Sequence, residues 1–166
     1  MAVDPHEVVR LAERFGAEYA EARVQDYLYE VVRFDSGVLR EYSVDRRKGV
    51  GLRVSVNGYL GFAYTNDVSR QGLEELVKRA VAAARTAAIA GRATRFAERP
   101  VRKERFSTPF SEDPVAVDPE EKVRVVEEVN VGSMRRAEIR SAVTALAVER
   151  DARLYASSDG ADIRVE

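Results

Sequence analysis

An α+β fold, one largely antiparallel sheet covered by helices, is what the 166-residue sequence predicts. Three observations carry this. Mostly apolar even positions alternate from Ala20 to Phe34, and Val50, Leu52, Val54 and Val56 alternate again, as half-buried strands require. Asn57-Gly58 follows at once, and this dipeptide tolerates the two positive φ angles of a type I′ hairpin turn. Asp4-Pro5 and Asp118-Pro119 each open a helix, the Asp capping free amides and the Pro suiting the first helical position.

Taken in order, the first helix carries Val8, Leu11, Ala12 and Phe15 on one face and stops at Gly16. A four-strand meander follows: Ala20–Phe34, a turn at Asp35-Ser36-Gly37, Val38–Val44, Val50–Val56, and Tyr59–Thr65. The hairpin loop sets Val56 opposite Tyr59 and Leu52 opposite Ala63. Ser69 caps a long helix with Leu73, Leu76, Val77, Ala80, Val81 and Ala84 on one face, whose alanine-rich second half suits packing against a sheet. Residues 91–117 hold Gly91, three prolines and many charges, and read as a long surface connection within a single domain 1–166. After the second Asp-Pro helix, with Val123, Val126 and Val129, about three C-terminal strands are expected: Ile139–Val148, Leu154–Ser157 and Ile163–Val165.

Composition narrows the chemistry. Lys plus Arg (27) and Asp plus Glu (28) nearly cancel, so no global field favours nucleic acid or an anionic membrane. No segment approaches the roughly 18 apolar residues of a membrane span, and a cytoplasmic location is the expectation. Arginine in excess of lysine, with few labile side chains, fits a thermophile, as it does a GC-rich genome. Without cysteine there is no thiolate nucleophile and no Cys-ligated zinc, and with His6 the only histidine no two-His zinc motif exists. His6, on the first turn of a capped helix, reads as a surface residue rather than a base. Gly49-Val50-Gly51 lacks the third glycine of a dinucleotide loop and enters a strand. Glu120, Glu121, Glu127 and Glu128, interleaved with Lys122 and Arg124, read as a solvated helix face. Asp159 and Asp162 bracket a turn without the further ligands of a calcium loop. Arg92, Arg95, Arg99, Arg102, Lys103 and Arg105, with Phe96 and Phe106, have the composition of a weak single-strand binder, but a charged loop explains them as well. No self-contained catalytic constellation and no metal set emerges.

The stretch from Gly49 through Asn57-Gly58-Tyr59-Leu60-Gly61-Phe62-Ala63-Tyr64-Thr65-Asn66-Asp67 to the helix at Ser69 resembles the N-terminal domain of the TldD/PmbA family. So do its approach, Gly16 to Val24, and the closing Leu154 to Ile163. The resemblance implies a zinc metalloprotease for peptides and unfolded polypeptides, working inside a two-subunit shell. Some members carry the label modulator of DNA gyrase. Gly61 to Asn66 looks closer to the TldD than to the PmbA (TldE) side. In TldD-like proteins an HExxxH helix after this domain supplies two His and the general-base Glu, and this sequence contains no such segment. No catalytic residue is therefore carried over, and zinc is implied only for the full-length protein. The expectation is an excised, non-catalytic N-terminal domain, partnered by a C-terminal protease domain in a homo- or heterodimer. It would enclose an extended substrate, for example by adding it to a sheet edge. The alternative is an interaction or dimerisation module of a PmbA-like inactive partner. By resemblance, Arg53, Asn57, Gly58, Gly61, Phe62, Thr65 and Asn66 are the candidate substrate or interface residues, although hairpin geometry and core packing would account for the glycines, Asn57 and Phe62 too.

Overall fold

The computed structural model describes residues 3–90, 93–94 and 100–166. Its elements run α1 (Pro5–Arg14), β1 (Tyr19–Asp35), β2 (Val38–Val56), β3 (Tyr59–Thr65), α2 (Arg70–Ala90), β4 (Lys103–Phe106), α3 (Pro119–Ser133), β5 (Val143–Ser157) and β6 (Asp162–Val165). The strands form one six-stranded sheet in the order β3-β2-β1-β5-β6-β4. Pairing is antiparallel for β2–β3 and β5–β6, and parallel for β4–β6. The α+β class expected from the sequence is the observed one.

The strand count differs from the expectation in three places. The predicted four-strand meander is a three-strand one, because Asp45-Arg46-Arg47-Lys48-Gly49 does not interrupt β2. A strand face open to water tolerates charge, and Lys48 Nζ sits 2.7 Å from Asp26 Oδ2 on β1. Likewise β5 runs through Glu149-Arg150-Asp151, joining two of the three predicted C-terminal strands and starting at Val143 rather than Ile139. Within it Asp151 is held by Arg153 and by Gln25 Nε2 at 2.8 Å. Finally, part of the predicted surface connection 91–117 is strand β4, which gains backbone bonds from Asp162 N to Arg102 O (3.0 Å) and Glu166 N to Phe106 O (2.9 Å).

The chain packs as two compact units. The first comprises Met1–Asp26, Arg47–Ser107 and Asp151–Glu166, the second Tyr27–Arg46 and Thr108–Arg150. The boundary falls inside β1, β2 and β5, so each of these strands contributes a segment to both.

In the first unit α1 and α2 bury their apolar faces with the even positions of β1 and β2. The core is Val8, Val9 and Ala12 from α1, Ala20 and Ala22 from β1, Val50, Leu52, Val54 and Val56 from β2, and Leu76, Val77, Ala80, Val81 and Ala84 from α2. The caps work as the sequence implied: Asp4 Oδ1 accepts from His6 N (2.9 Å) and Ser69 Oγ from Gly72 N (3.1 Å). Asp67 Oδ1 adds a bond from Ser69 N at 2.9 Å, and the Ser69 hydroxyl first, then this amide, holds the Asp67 carboxyl below its ordinary range. Asn57 and Gly58 both have positive φ (51° and 78°), which makes the β2–β3 turn a two-residue loop matched to strand twist.

In the second unit Val32 and Phe34 pack with Val126, flanked by Val123 and Leu146. Here α3 departs from its predicted face. Val129 is exposed, and the row turned inward is Lys122, Val126 and Asn130. Lys122, read from sequence as solvated, is 4% exposed and places Nζ 2.6 Å from Glu30 Oε2. Asn130 is fully buried: it accepts from Gly37 N (2.7 Å) and donates to Ala142 O (2.9 Å) and Thr144 Oγ1 (3.1 Å). Both polar groups carry partners, as burial demands.

Candidate functional site

The sheet face opposite α2 in the first unit carries a linked group of polar and aromatic side chains. Register places Arg53 opposite Phe62 and Gly51 opposite Tyr64, while Leu52–Ala63 and Val54–Gly61 point the other way into the core. On the open face Arg53 pairs with Glu21 of β1. The same carboxylate accepts from Tyr19 Oη and Tyr155 Oη, each 2.9 Å from Oε2. One acid therefore ties β1, β2 and β5 together. Burial, then the bond to Glu21, raises the Tyr19 hydroxyl well above its ordinary range, so it remains a donor at neutral pH. Further along the face Asp151 is held below the ordinary carboxylate range, chiefly by Arg153 and also by Gln25. With three donors on it, Glu21 braces the strands rather than standing free as a base.

Beside this network lie two unshielded aromatics. Phe62 is 63% exposed and Tyr64 68%. The Phe62 ring covers Gly51, where a Cβ would lie 3.6 Å from Cε2. Aromatic side chains are enriched where proteins contact other molecules, and two such rings lie side by side here.

The seven residues carried by the resemblance do not converge. Arg53 and Phe62 share the open face as a cross-strand pair. Gly61, one position away, faces α2: a Cβ there would stand 2.0 Å from Ala80 O and 2.6 Å from Ala84 N, so it serves close helix–strand approach. Asn57 and Gly58 form the turn, where Gly58 O accepts from Thr94 N at 2.7 Å. Thr65 and Asn66 lie at the opposite end of β3, about 20 Å away at strand rise. There Thr65 Oγ1 accepts from Asp67 N (3.1 Å), and a Cβ on Gly49 would meet Asn66 Oδ1 at 3.0 Å. Tyr19, Glu21, Tyr64 and Tyr155 were missed. Odd-position parity on β1 hinted at Tyr19 and Glu21, but joining them to Arg53 needs the register between strands.

Other candidates stay apart. His6 Nε2 is 3.5 Å from Asp162 Oδ2. Among the described residues no three of His, Cys, Asp and Glu gather as a metal would need, so the zinc implied for the family has no fitting donor set here. Arg102 is engaged by Glu104 at 2.8 Å, and Lys103 and Arg105 are exposed on β4. Arg92, Arg95, Phe96, Glu98 and Arg99 lie outside the described residues. No helix among the described residues is long and apolar enough to cross a membrane.

Comparison with known proteins gives a consistent picture. Residues 20–84 match the family model described as PmbA/TldA metallopeptidase domain 1. Among solved structures, a candidate modulator of DNA gyrase from Bacteroides thetaiotaomicron is similar, with TM-score 0.80 and 18% identity over 96% of this chain and 37% of that one. A second candidate modulator of DNA gyrase, from Thermotoga maritima, gives TM-score 0.75 at 13% identity, covering 96% and 35%. TldE from Thermococcus kodakarensis gives 0.75 at 15%, covering 96% and 36%. At these identities the likeness establishes the fold, and the chain spans little over a third of each neighbour. No curated protein sequence matches.

Proposed function

We propose, for a chain that carries the first domain of the PmbA/TldD family over residues 20–84, a supporting rather than a catalytic role in peptide hydrolysis. The domain walls a substrate space and presents the Arg53–Phe62–Tyr64 face of β2 and β3 to peptides or unfolded polypeptides. The observation that carries this reading is the exposed Phe62–Tyr64 pair on an outer strand, backed by a face braced through Glu21. Such a surface offers apolar contact and main-chain pairing with little sequence selectivity, which suits substrates that share only an extended backbone. Zinc chemistry needs a metal-bound water and a general base; in this reading a C-terminal protease domain supplies them, in a homo- or heterodimer in the cytoplasm.

The test uses this chain purified with added zinc, then with chelator, against an unfolded reporter polypeptide. The expected result is no stoichiometric zinc and no cleavage by the chain itself. Bound zinc with chelator-sensitive cleavage would overturn the reading and direct mutation first to His6 and the acidic start of α3. The likeness to TldE favours a second reading, a pairing module of an inactive partner subunit. That reading predicts that the chain binds an active metallopeptidase subunit yet shows no affinity for peptides.

A further inference from the structure

α3 grips the sheet of the second unit with little apolar surface. Its buried residues are Lys122, Val126 and Asn130, so Val126 is its single buried apolar side chain, packed with Val32 and Phe34 and flanked by half-buried Val123. α2, by contrast, gives Leu76, Val77, Ala80, Val81 and Ala84 to the core of the first unit. Val125, Val129 and Val131 could have widened the contact of α3 but are exposed. Apolar burial is the term that grows with contact area, so α3 is the more weakly held of these two helices.

The polar anchors under α3 do not make up the difference. Lys122 Nζ lies 2.6 Å from Glu30 Oε2, Tyr42 Oη donates to Glu30 Oε1 at 3.2 Å, and Asn130 bonds Gly37 N, Ala142 O and Thr144 Oγ1. These groups give up water when α3 docks and regain it when α3 leaves. Each bond therefore counts only by its small excess over hydration, and desolvation offsets much of the attraction within the ion pair. Cutting away one partner is a different perturbation, because the other then stays buried and unpaired. The anchors set where α3 sits more than how firmly it stays.

The sequence of α3 points the same way. Its 15 residues include Val123, Val125, Val126, Val129, Val131 and Gly132, which are poor helix formers, and a helix of this length is marginal in water even for good ones. Off the sheet it loses helical order and regains chain entropy. Residues 107–118 before it and 134–142 after it contain no helix or strand, so α3 can leave without breaking the pairing of a neighbouring strand. The ion pair of Asp113 with Arg150, at 3.8 Å, lies at the surface and ties the first of these segments only weakly.

We propose that α3 is a detachable cover: it opens from the sheet of the second unit, uncovering Glu30, Val32 and Phe34, in molecules whose first unit stays packed. Opening is then a sub-global event, more populated than complete unfolding. The proposal stands apart from the role assigned to β3.

The test exploits the absence of cysteine from the chain. Val126→Cys on α3 and Val81→Cys on α2 each place one thiol at a helix position that is 3% exposed. Reaction with a disulfide reagent, in the range where rate is linear in reagent, reads the population of open molecules. The thiol at 126 is expected to react at least about tenfold faster than the thiol at 81, with less than about half its urea dependence, because opening exposes less surface than unfolding. Gly61→Ala, added to each, strains the packing of the first unit in closed and α3-open molecules alike. It should speed the thiol at 81 by about tenfold or more and change the thiol at 126 by less than about twofold. Equal rates with equal urea dependence at the two positions, or equal acceleration by Gly61→Ala, mark a single cooperative unit and overturn the proposal. Deuterium exchange of the unsubstituted chain reads the same event without any variant. Amides of α3 exchanging with a smaller urea dependence than those of α2 support the proposal, and a shared dependence overturns it.

Discussion

Replacing Gly61 with alanine tests the closest contact in the first unit. The new Cβ would lie 2.0 Å from Ala80 O, 2.6 Å from Ala84 N and 3.0 Å from Ala84 Cβ. The first distance is about 1.5 Å short of ordinary contact. Two of the three obstacles are helix backbone, so no rotamer change relieves them, and α2 must retreat as a body. Retreat opens space beneath Leu76, Val77, Ala80, Val81 and Ala84, all 3% exposed or less. Overpacking costs roughly 1–3 kcal/mol, and loosened packing under several core side chains adds about 1 kcal/mol more. A loss of about 2–4 kcal/mol is expected, a large share of the roughly 5–15 kcal/mol that holds a domain. At a urea dependence of about 2 kcal/mol per M, the midpoint falls by about 1–2 M. Circular dichroism against urea reads this directly. Gly132→Ala is the control: nothing lies within 4 Å of its Cβ, it sits in α3, and it should hold or gain up to about 0.5–1 kcal/mol. A Gly61→Ala variant within about 0.5 kcal/mol of the parent would refute the close approach on which the packing account depends.

Lys122→Met leaves Glu30 buried without its cation and should cost about 3–5 kcal/mol, whereas the same change combined with Glu30→Leu should recover most of it, read by urea denaturation of both variants. Asn130→Ala removes three hydrogen bonds and should cost about 2–3 kcal/mol, with faster amide exchange at Gly37 beyond the global loss. The Asp151 carboxyl is depressed by Arg153, so its folded value lies below the unfolded one near 3.9; its stabilisation is present above about pH 4 and lost as pH falls through the folded value. Asp151→Asn should therefore be less stable than the parent at pH 7, and the gap should close in acid, as thermal melts across pH will reveal. Gly58→Ala meets a φ of +78° and should cost about 1 kcal/mol, measurable as a lower melting temperature.

Patterns confined to one segment were legible in the sequence. The Asp-Pro caps, the Asn57-Gly58 turn and the α2 face depend on spacing alone, and each is where spacing put it. What failed was the rule that charge ends a strand. Asp45 to Lys48 and Glu149 to Asp151 stay in strands: Lys48 pairs with Asp26 of β1, and Asp151 is held by Gln25 of β1 and by Arg153 two residues on, and the two partners on β1 are invisible until register is known. Lys122 failed for the same reason, since Glu30, its partner, is 92 residues away. The candidate site shows the limit most clearly. Arg53 and Phe62 were named, but the carboxylate that fixes Arg53 and the hydroxyls that share it come from strands far apart in the chain.

Period two makes Gly61 and Phe62 divide the work of one strand. Gly61 faces inward and has to be small, because α2 comes so near. Phe62 faces outward, exposed beside Tyr64. The inward position also separates the two cores. Strain at residue 61 falls on α2 and the first unit, whereas α3 rests on Val32, Phe34 and Val126 of the second. Were the chain one cooperative unit, a methyl group at 61 would speed exchange in α2 and α3 alike. A helix with one buried apolar side chain, whose polar anchors regain water on release, has little through which to feel that strain. The Gly61→Ala variant should therefore lose stability in α2 while the exchange of α3 amides stays as it was. Equal acceleration in both helices would leave the close approach of α2 standing and remove the detachable cover.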